Sequence, residues 1–139
     1  NAALERSGLL GIVVGIVLTV AVQSSSITTS LLVPMIAADV LSLRNAFPIT
    51  VGANIGTTVT ALLAAVVAGS WGLVIALVHL VFNLAATLLL YPVPALRHAP
   101  VRLAQALARL TLRNRAYAVV YIVVTFVVLP LAGMLLFKD

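Results

Sequence analysis

Residues 23–30 read Gln-Ser-Ser-Ser-Ile-Thr-Thr-Ser, so seven of these eight side chains carry a hydroxyl or an amide group. This polar island lies between two apolar arms, residues 9–22 and 31–41. As a helix the first arm would be about 21 Å long, which is too short to cross a hydrocarbon core of about 30 Å. Two short helices joined at a polar tip form a re-entrant hairpin, whose backbone must be satisfied by protein or water. The segment 9–41 therefore predicts a re-entrant helical hairpin; one long helix kinked through the island is the alternative.

A second apolar block, residues 46–70, is also interrupted. Pro48 lies near its start, and residues 52–58 read Gly-Ala-Asn-Ile-Gly-Thr-Thr. Each glycine lowers helix stability by about 1 kcal/mol and permits unusual backbone dihedrals. The pattern predicts a broken transmembrane helix.

The composition around these two segments defines the class of protein. Three stretches lack Asp, Glu, Lys and Arg altogether: residues 7–38, 45–96 and 116–137. Hydrophobic residues make up 63% of the 139 residues and charged residues 8%, whereas a soluble domain carries roughly 25% charge. A soluble enzyme and a disordered tail are excluded, and the absence of cysteine excludes a disulfide scaffold. We expect an all-α, polytopic membrane protein.

The remaining segments complete this organisation. Residues 71–91 are uninterrupted, with Trp71 and Tyr91 at the two ends, as in the aromatic belts of spanning helices. Residues 95–115 hold five arginines and predict an amphipathic interfacial helix, because basic side chains beside membrane spans bind lipid surfaces. We therefore expect a lipid bilayer, and no nucleic acid, as its partner. Residues 116–137 predict a last spanning helix.

Residues 54–60 form a second polar island within the block 46–70, and the residue types of the two islands indicate their chemistry. Neither island contains Asp, Glu, Lys or Arg. Side-chain and carbonyl oxygens suit a hard cation such as sodium, and N–H groups at half-helix N-termini suit an anion. Broken helices that serve both ions are typical of secondary transporters, so cation-coupled anion symport is the favoured function. Interhelical hydrogen bonding alone is the structural alternative.

Several ordered motifs resemble the type II sodium-dependent phosphate cotransporter family. They are Gln23-Ser24-Ser25-Ser26, then residues 52–58, His79-x-x-Phe82-Asn83, Tyr91-Pro92-x-Pro94 and the segment with Arg102. The resemblance covers nearly the whole chain. It implies two inverted repeats, of which this chain is similar to the second together with the C-terminal spans. Only one repeat occurs here, so the chain is expected to be one half of an inverted-repeat transporter. Its partner would be the other repeat or an inverted second copy.

The resemblance also implies roles for individual residues. The phosphate site would be lined by Gln23, Ser24, Ser25, Ser26 and Asn54. Sodium would lie near Thr57, Thr58, Thr60 and Gln23. Ala53 departs from the pattern, because some members have a hydroxyl residue there. The implied location is the plasma (cell inner) membrane.

No catalytic residue, organic cofactor or transition-metal site is expected, and sodium serves as the coupling ion. The triple serine lacks the G-x-S-x-G elbow of a serine nucleophile, so an enzyme is not predicted. His79 is expected to hydrogen-bond to a neighbouring helix, and a functional role for this membrane-embedded ionisable residue is the alternative. Two other functions stay open: a sodium-coupled symporter of another oxyanion or a carboxylate, and a non-transporting membrane assembly module.

Overall fold

The computed structural model describes residues 8–136, without the side chain of Ala68. All regular structure within that range is helical, which confirms the predicted all-α class. The helices are α1 (Gly8–Val22), α2 (Ser25–Ala37), α3 (Leu43–Ala68), α4 (Ser70–Leu90), α5 (Pro94–Arg113), α6 (Ala116–Val123), a π-helical turn (Val124–Val128) and α7 (Leu129–Leu136).

Within residues 8–136, three segments are long and apolar enough to cross a membrane: Leu43–Val67, Ser70–Leu90 and the continuous run Ala116–Leu136. Helices α1 and α2, at 15 and 13 residues, are about 22 and 20 Å long and fall short of a span. The chain is therefore an integral, multi-pass membrane protein. That the α1–α2 pair re-enters the membrane without crossing it remains a prediction.

The described residues form two compact units, which divide between Arg97 and His98. In the first unit α1 and α3 run parallel, because Gly11 faces Pro48 near the start of the pair and Thr19 faces Gly56 further along. Helix α2 returns alongside them, and its Leu32 packs with three residues around the start of α3. That buried apolar cluster consists of Leu32, Leu41, Ala46 and Ile49.

Close approach of α1 and α3 depends on glycine. A Cβ added to Gly15 would overlap the carbonyl oxygen of Ile49, and one added to Gly52 would overlap that of Ile12. The two contacts are reciprocal, with a glycine of each helix set against the backbone of the other. Small residues at four-residue spacing allow this packing between membrane helices.

Helix α3 corrects one prediction, because it is continuous from Leu43 to Ala68 and has no break at residues 52–58. Glycine is tolerated in a helix interior at about 1 kcal/mol, and here Gly52 and Gly56 face α1. A helix also satisfies its own backbone groups in an apolar environment, which favours continuity. Glycine in α3 therefore provides close packing and not a break.

The second unit contains most of α5 and the last spanning segment. The π-helical turn Val124–Val128 comes directly before α7, whose second residue is Pro130. Proline has no N–H, and its ring clashes with the carbonyl four residues earlier. A widened turn relieves that clash, so Pro130 accounts for the irregularity in this helix.

Candidate functional site

The turn between α1 and α2 contains the first half of the candidate site. Gln23 has a φ of 55°, in the left-handed region that allows a helix to end and the chain to turn. Ser24 follows in an extended conformation and caps α2, with its Oγ accepting a hydrogen bond from the Ile27 N–H at 3.3 Å. The polar island is thus mostly helical, and only Gln23 and Ser24 form the turn.

The first turn of α2 has the chemistry of an anion site. The N–H groups of Ser25 and Ser26 belong to the first turn, whose N–H groups have no partner within the helix, and the helix dipole is positive there. Ser26 is exposed and Ser25 half-buried, while their carbonyl oxygens accept from the Thr29 hydroxyl at 3.2 and 2.9 Å. N–H and hydroxyl groups at such an end can bind an anion without a lysine or arginine.

The second half of the candidate site lies on α3. The hydroxyls of Thr57, Thr58 and Thr60 donate to the carbonyls of Ala53, Ile55 and Thr57 at 3.0, 2.6 and 2.8 Å. A hydroxyl that donates its proton keeps its oxygen lone pairs, so each can still coordinate a cation. Thr57 and Thr60 are half-buried, whereas Thr58 is fully buried.

Thr19 connects the two halves. Its hydroxyl donates to the Thr28 hydroxyl of α2 at 3.0 Å, and on its other side it lies against Gly56. Thr19 and Thr28 are both fully buried. The hairpin tip is one turn beyond Thr19 on α1, and the threonines of α3 follow directly after Gly56. The two predicted segments are therefore held at the same end of the α1–α2–α3 cluster.

Helix α4 contacts the site through Asn83. Its Nδ2 donates to the backbone carbonyl of Asn54 at 3.2 Å, while the Asn54 side chain is exposed. His79 is exposed and makes no hydrogen bond within residues 8–136, so its expected bond to a neighbouring helix stays a prediction. His79 lies one helical turn before Asn83, and of these two residues only Asn83 hydrogen-bonds to α3.

Sequence reasoning did not identify Thr19 as the link between the polar segments. Gly11, Gly15 and Thr19 follow one another at four-residue spacing in α1, which places them on one helical stripe. Thr19 is the one hydroxyl residue of α1. A lone hydroxyl that continues a stripe of small residues was the signal that could have found it.

Among the described residues no group of three or more His, Cys, Asp or Glu side chains is placed to hold a metal ion. The available ligands are hydroxyl, amide and carbonyl oxygens, which suit sodium as a transported ion.

Comparison with known proteins identifies the family. The Na+/Pi-cotransporter family model matches residues 2–92. The chain is 46% identical over 130 residues to sodium-dependent phosphate transport protein 2B of Bos taurus, which covers 91% of this chain and 19% of that protein. For protein 2C of Mus musculus the identity is 47% over 131 residues, covering 91% of this chain and 22% of that protein.

Protein 2A of Rattus norvegicus is 44% identical over 128 residues, 89% of this chain and 20% of that protein. The chain thus spans about a fifth of the length of these curated relatives. No solved structure matches it. Because the family model covers most of the chain and the relatives match nearly all of it, the chain belongs to the Na+/Pi-cotransporter family.

Proposed function

We propose that this chain supplies one half of a site for sodium-coupled symport of inorganic phosphate across a membrane. The observation that carries the proposal is the serine-capped N-terminus of α2, held by Thr19 beside the threonines of α3. The names of its relatives, sodium-dependent phosphate transport proteins, favour phosphate as the anion.

Phosphate would bind at Gln23, Ser24, Ser25, Ser26 and Asn54. The N–H groups of the first turn of α2 and the serine hydroxyls would donate to its oxygens, and the Gln23 and Asn54 amides add donors. Gln23, Ser26 and Asn54 are exposed, as residues must be if a ligand is to reach them.

Charge explains why sodium is required. Residues 7–38 and 45–96, which contain all these positions, have no lysine or arginine. An anion that loses its water shell needs a compensating charge, and here that charge would be sodium. Oxygen ligands for sodium would come from Thr57, Thr58, Thr60 and Gln23. Thr57 and Thr60 are partly accessible, whereas the buried Thr58 would reach the ion only after a local opening of the helix packing.

Because this chain would supply one half of the site, residues outside it must supply the other half. The other repeat of the same transporter, or an inverted second copy of this chain, would supply it across the exposed side of Gln23 and Asn54. Inverted repeats that bind their substrates at the interface near the bilayer midplane are a common transporter design.

The proposal is tested by uptake of radiolabelled phosphate into proteoliposomes. The samples are this chain alone and a longer protein that includes it, each with an inward sodium or potassium gradient. We expect sodium-driven uptake by the longer protein, and by the chain alone only if two copies assemble. Uptake that is equal in sodium and potassium would contradict the proposal.

Competition identifies the anion. Excess unlabelled arsenate, a tetrahedral oxyanion like phosphate, should inhibit uptake, whereas succinate should not. Inhibition by succinate alone would assign the site to a carboxylate. Serine-to-alanine changes at residues 24–26 that alter stability or partner binding without any dependence on a ligand would favour a membrane assembly module.

A further inference from the structure

Helix α5 (Pro94–Arg113) has a charge that nothing nearby in the chain balances. Residues 95–115 contain five arginines, and no Asp or Glu occurs between residues 40 and 138. The helix begins four residues after the spanning helix α4 and ends three residues before the span Ala116–Leu136. A segment joined to a span at each end begins and finishes near the membrane surface. We propose that α5 is a binding surface for anionic phospholipids.

The arginines are arranged as a stripe. Arg102, Arg109 and Arg113 are separated by seven and four residues, and at about 100° per residue they fall within roughly 40° of one another around the helix. All three are exposed. The Nε of Arg109 donates to the Gln105 carbonyl at 3.3 Å, which uses one of five guanidinium N–H donors. The other donors can bind phosphate oxygens in a bidentate manner.

An apolar face lies beside this stripe. Leu103, Leu107 and Leu110 cluster about 110° around the helix from the arginines. Leu103 is 71% exposed and Leu110 46% exposed. A helix with an apolar face next to a basic face is stable at the boundary between headgroups and acyl chains, where the leucines enter the lipid and the arginines reach the phosphates. Leu103 and Leu110 are thus available to contact acyl chains.

Arg97 has a different position and role. Its guanidinium carbon lies 5.4 Å from the centre of the Tyr91 ring, within the range of a cation–π interaction. Tyr91 follows the last residue of α4 and faces Gly8. This contact holds the start of α5 close to the end of the spanning helix α4. Tyrosine is enriched at such positions because they lie at the membrane interface.

A lipid surface fits the stripe better than a free phosphate ion does. Arg102 and Arg113 are eleven residues apart, about 16 Å along the helix axis, so one tetrahedral anion cannot contact both. A layer of headgroups offers several phosphates at that spacing.

The test uses the full chain, which contains no cysteine, so a single introduced cysteine can carry a nitroxide label. Leu103→Cys reports the apolar face, and Ala108→Cys, about 140° away around the helix, reports the opposite side. Each labelled chain is reconstituted in nanodiscs of phosphatidylcholine alone, or with one third phosphatidylglycerol. Collision of the label with oxygen and with a water-soluble nickel complex measures its depth.

We expect the label at position 103, and not at 108, to enter the lipid when phosphatidylglycerol is present. The triple variant R102Q/R109Q/R113Q should lose this dependence. Its inserted-to-free ratio should fall about fivefold for each arginine, roughly a hundredfold in total. The matched variant R102K/R109K/R113K keeps the charge and should retain most of the effect, which separates lost charge from a damaged helix.

Three results would overturn the proposal. The first is a label at position 103 that stays in water in both lipid mixtures. The second is a phosphatidylglycerol dependence that survives in the triple glutamine variant. The third is release of α5 by inorganic phosphate but not by chloride at equal ionic strength, which would assign the arginines to free phosphate.

Discussion

At the scale of single residues, Gln23 has a backbone conformation and a side-chain amide whose effects can be tested separately. Its φ of 55° costs a residue with a Cβ about 1 kcal/mol, whereas glycine adopts this conformation freely. We therefore expect Gln23→Gly to preserve or slightly raise the free energy of unfolding while it abolishes sodium-dependent phosphate uptake, because the amide is lost. Denaturant unfolding and uptake in the longer protein measure the two effects. Normal uptake by a well-expressed Gln23→Gly variant would remove Gln23 from the site.

Two serines provide a matched pair for the anion site. Ser24 caps α2 and Ser42 caps α3, with Oγ to N–H distances of 3.3 and 3.2 Å. Replacing either with alanine should cost a similar free energy of unfolding, about 1 kcal/mol. Only Ser24→Ala should weaken phosphate binding, because Ser24 alone lies at the hairpin tip. Equal phosphate affinity in the two variants, measured by calorimetry, would show that Ser24 has only a capping role.

The sequence predicted the position of this turn but not its internal structure. Seven polar side chains in eight residues placed the tip correctly, because polar groups in an apolar segment are costly unless they have partners. The island could not reveal that Ser25 onward would be helical, since that depends on Ser24 as a cap. The bond from Thr19 to Thr28 joins two helices and depends on how they pack, which residue types do not specify.

At the scale of helices, the parallel packing of α1 and α3 is the contact that positions both halves of the site. Gly15→Ala should lower the free energy of unfolding by about 1–3 kcal/mol, the usual cost of overpacking, because its Cβ would overlap the Ile49 carbonyl. Gly133→Ala in α7 is the matched control, since nothing lies within 4 Å of the added Cβ and alanine favours a helix. Unfolding in SDS measures both variants.

Equal destabilisation by the two alanines would mean that α1 and α3 do not pack through Gly15. The same contact explains the incorrect prediction of a broken α3. Glycine is used both to interrupt helices and to let them approach closely, and residues 52–58 alone do not distinguish the two uses. The decisive information lies in α1, where Ile12 and Thr19 occupy the space beside Gly52 and Gly56.

At the scale of the whole molecule, the site has polar groups without fixed charge, and this predicts how its two ligands interact. If sodium supplies the charge that phosphate needs, sodium must raise phosphate affinity. By thermodynamic linkage phosphate must then raise sodium affinity by the same factor. Couplings of this kind are typically about 5- to 150-fold. Titration of the longer protein with each ion, in the presence and absence of the other, measures both factors, and equal phosphate affinity in sodium and potassium would contradict the charge argument.

A second matched pair shows whether α3 is the source of that coupling. Thr57 and Thr50 are both half-buried on α3, and their hydroxyls donate to the carbonyl four residues earlier at 3.0 and 3.1 Å. Replacing either threonine with valine removes the same local hydrogen bond and keeps the side-chain shape. Because only Thr57 lies beyond Gly56, beside the hairpin tip, Thr57→Val should weaken sodium binding and reduce the effect of sodium on phosphate affinity, whereas Thr50→Val should leave both unchanged. If the two variants bind sodium equally well, the cation is held elsewhere, and the complementary half of the transporter must supply its ligands.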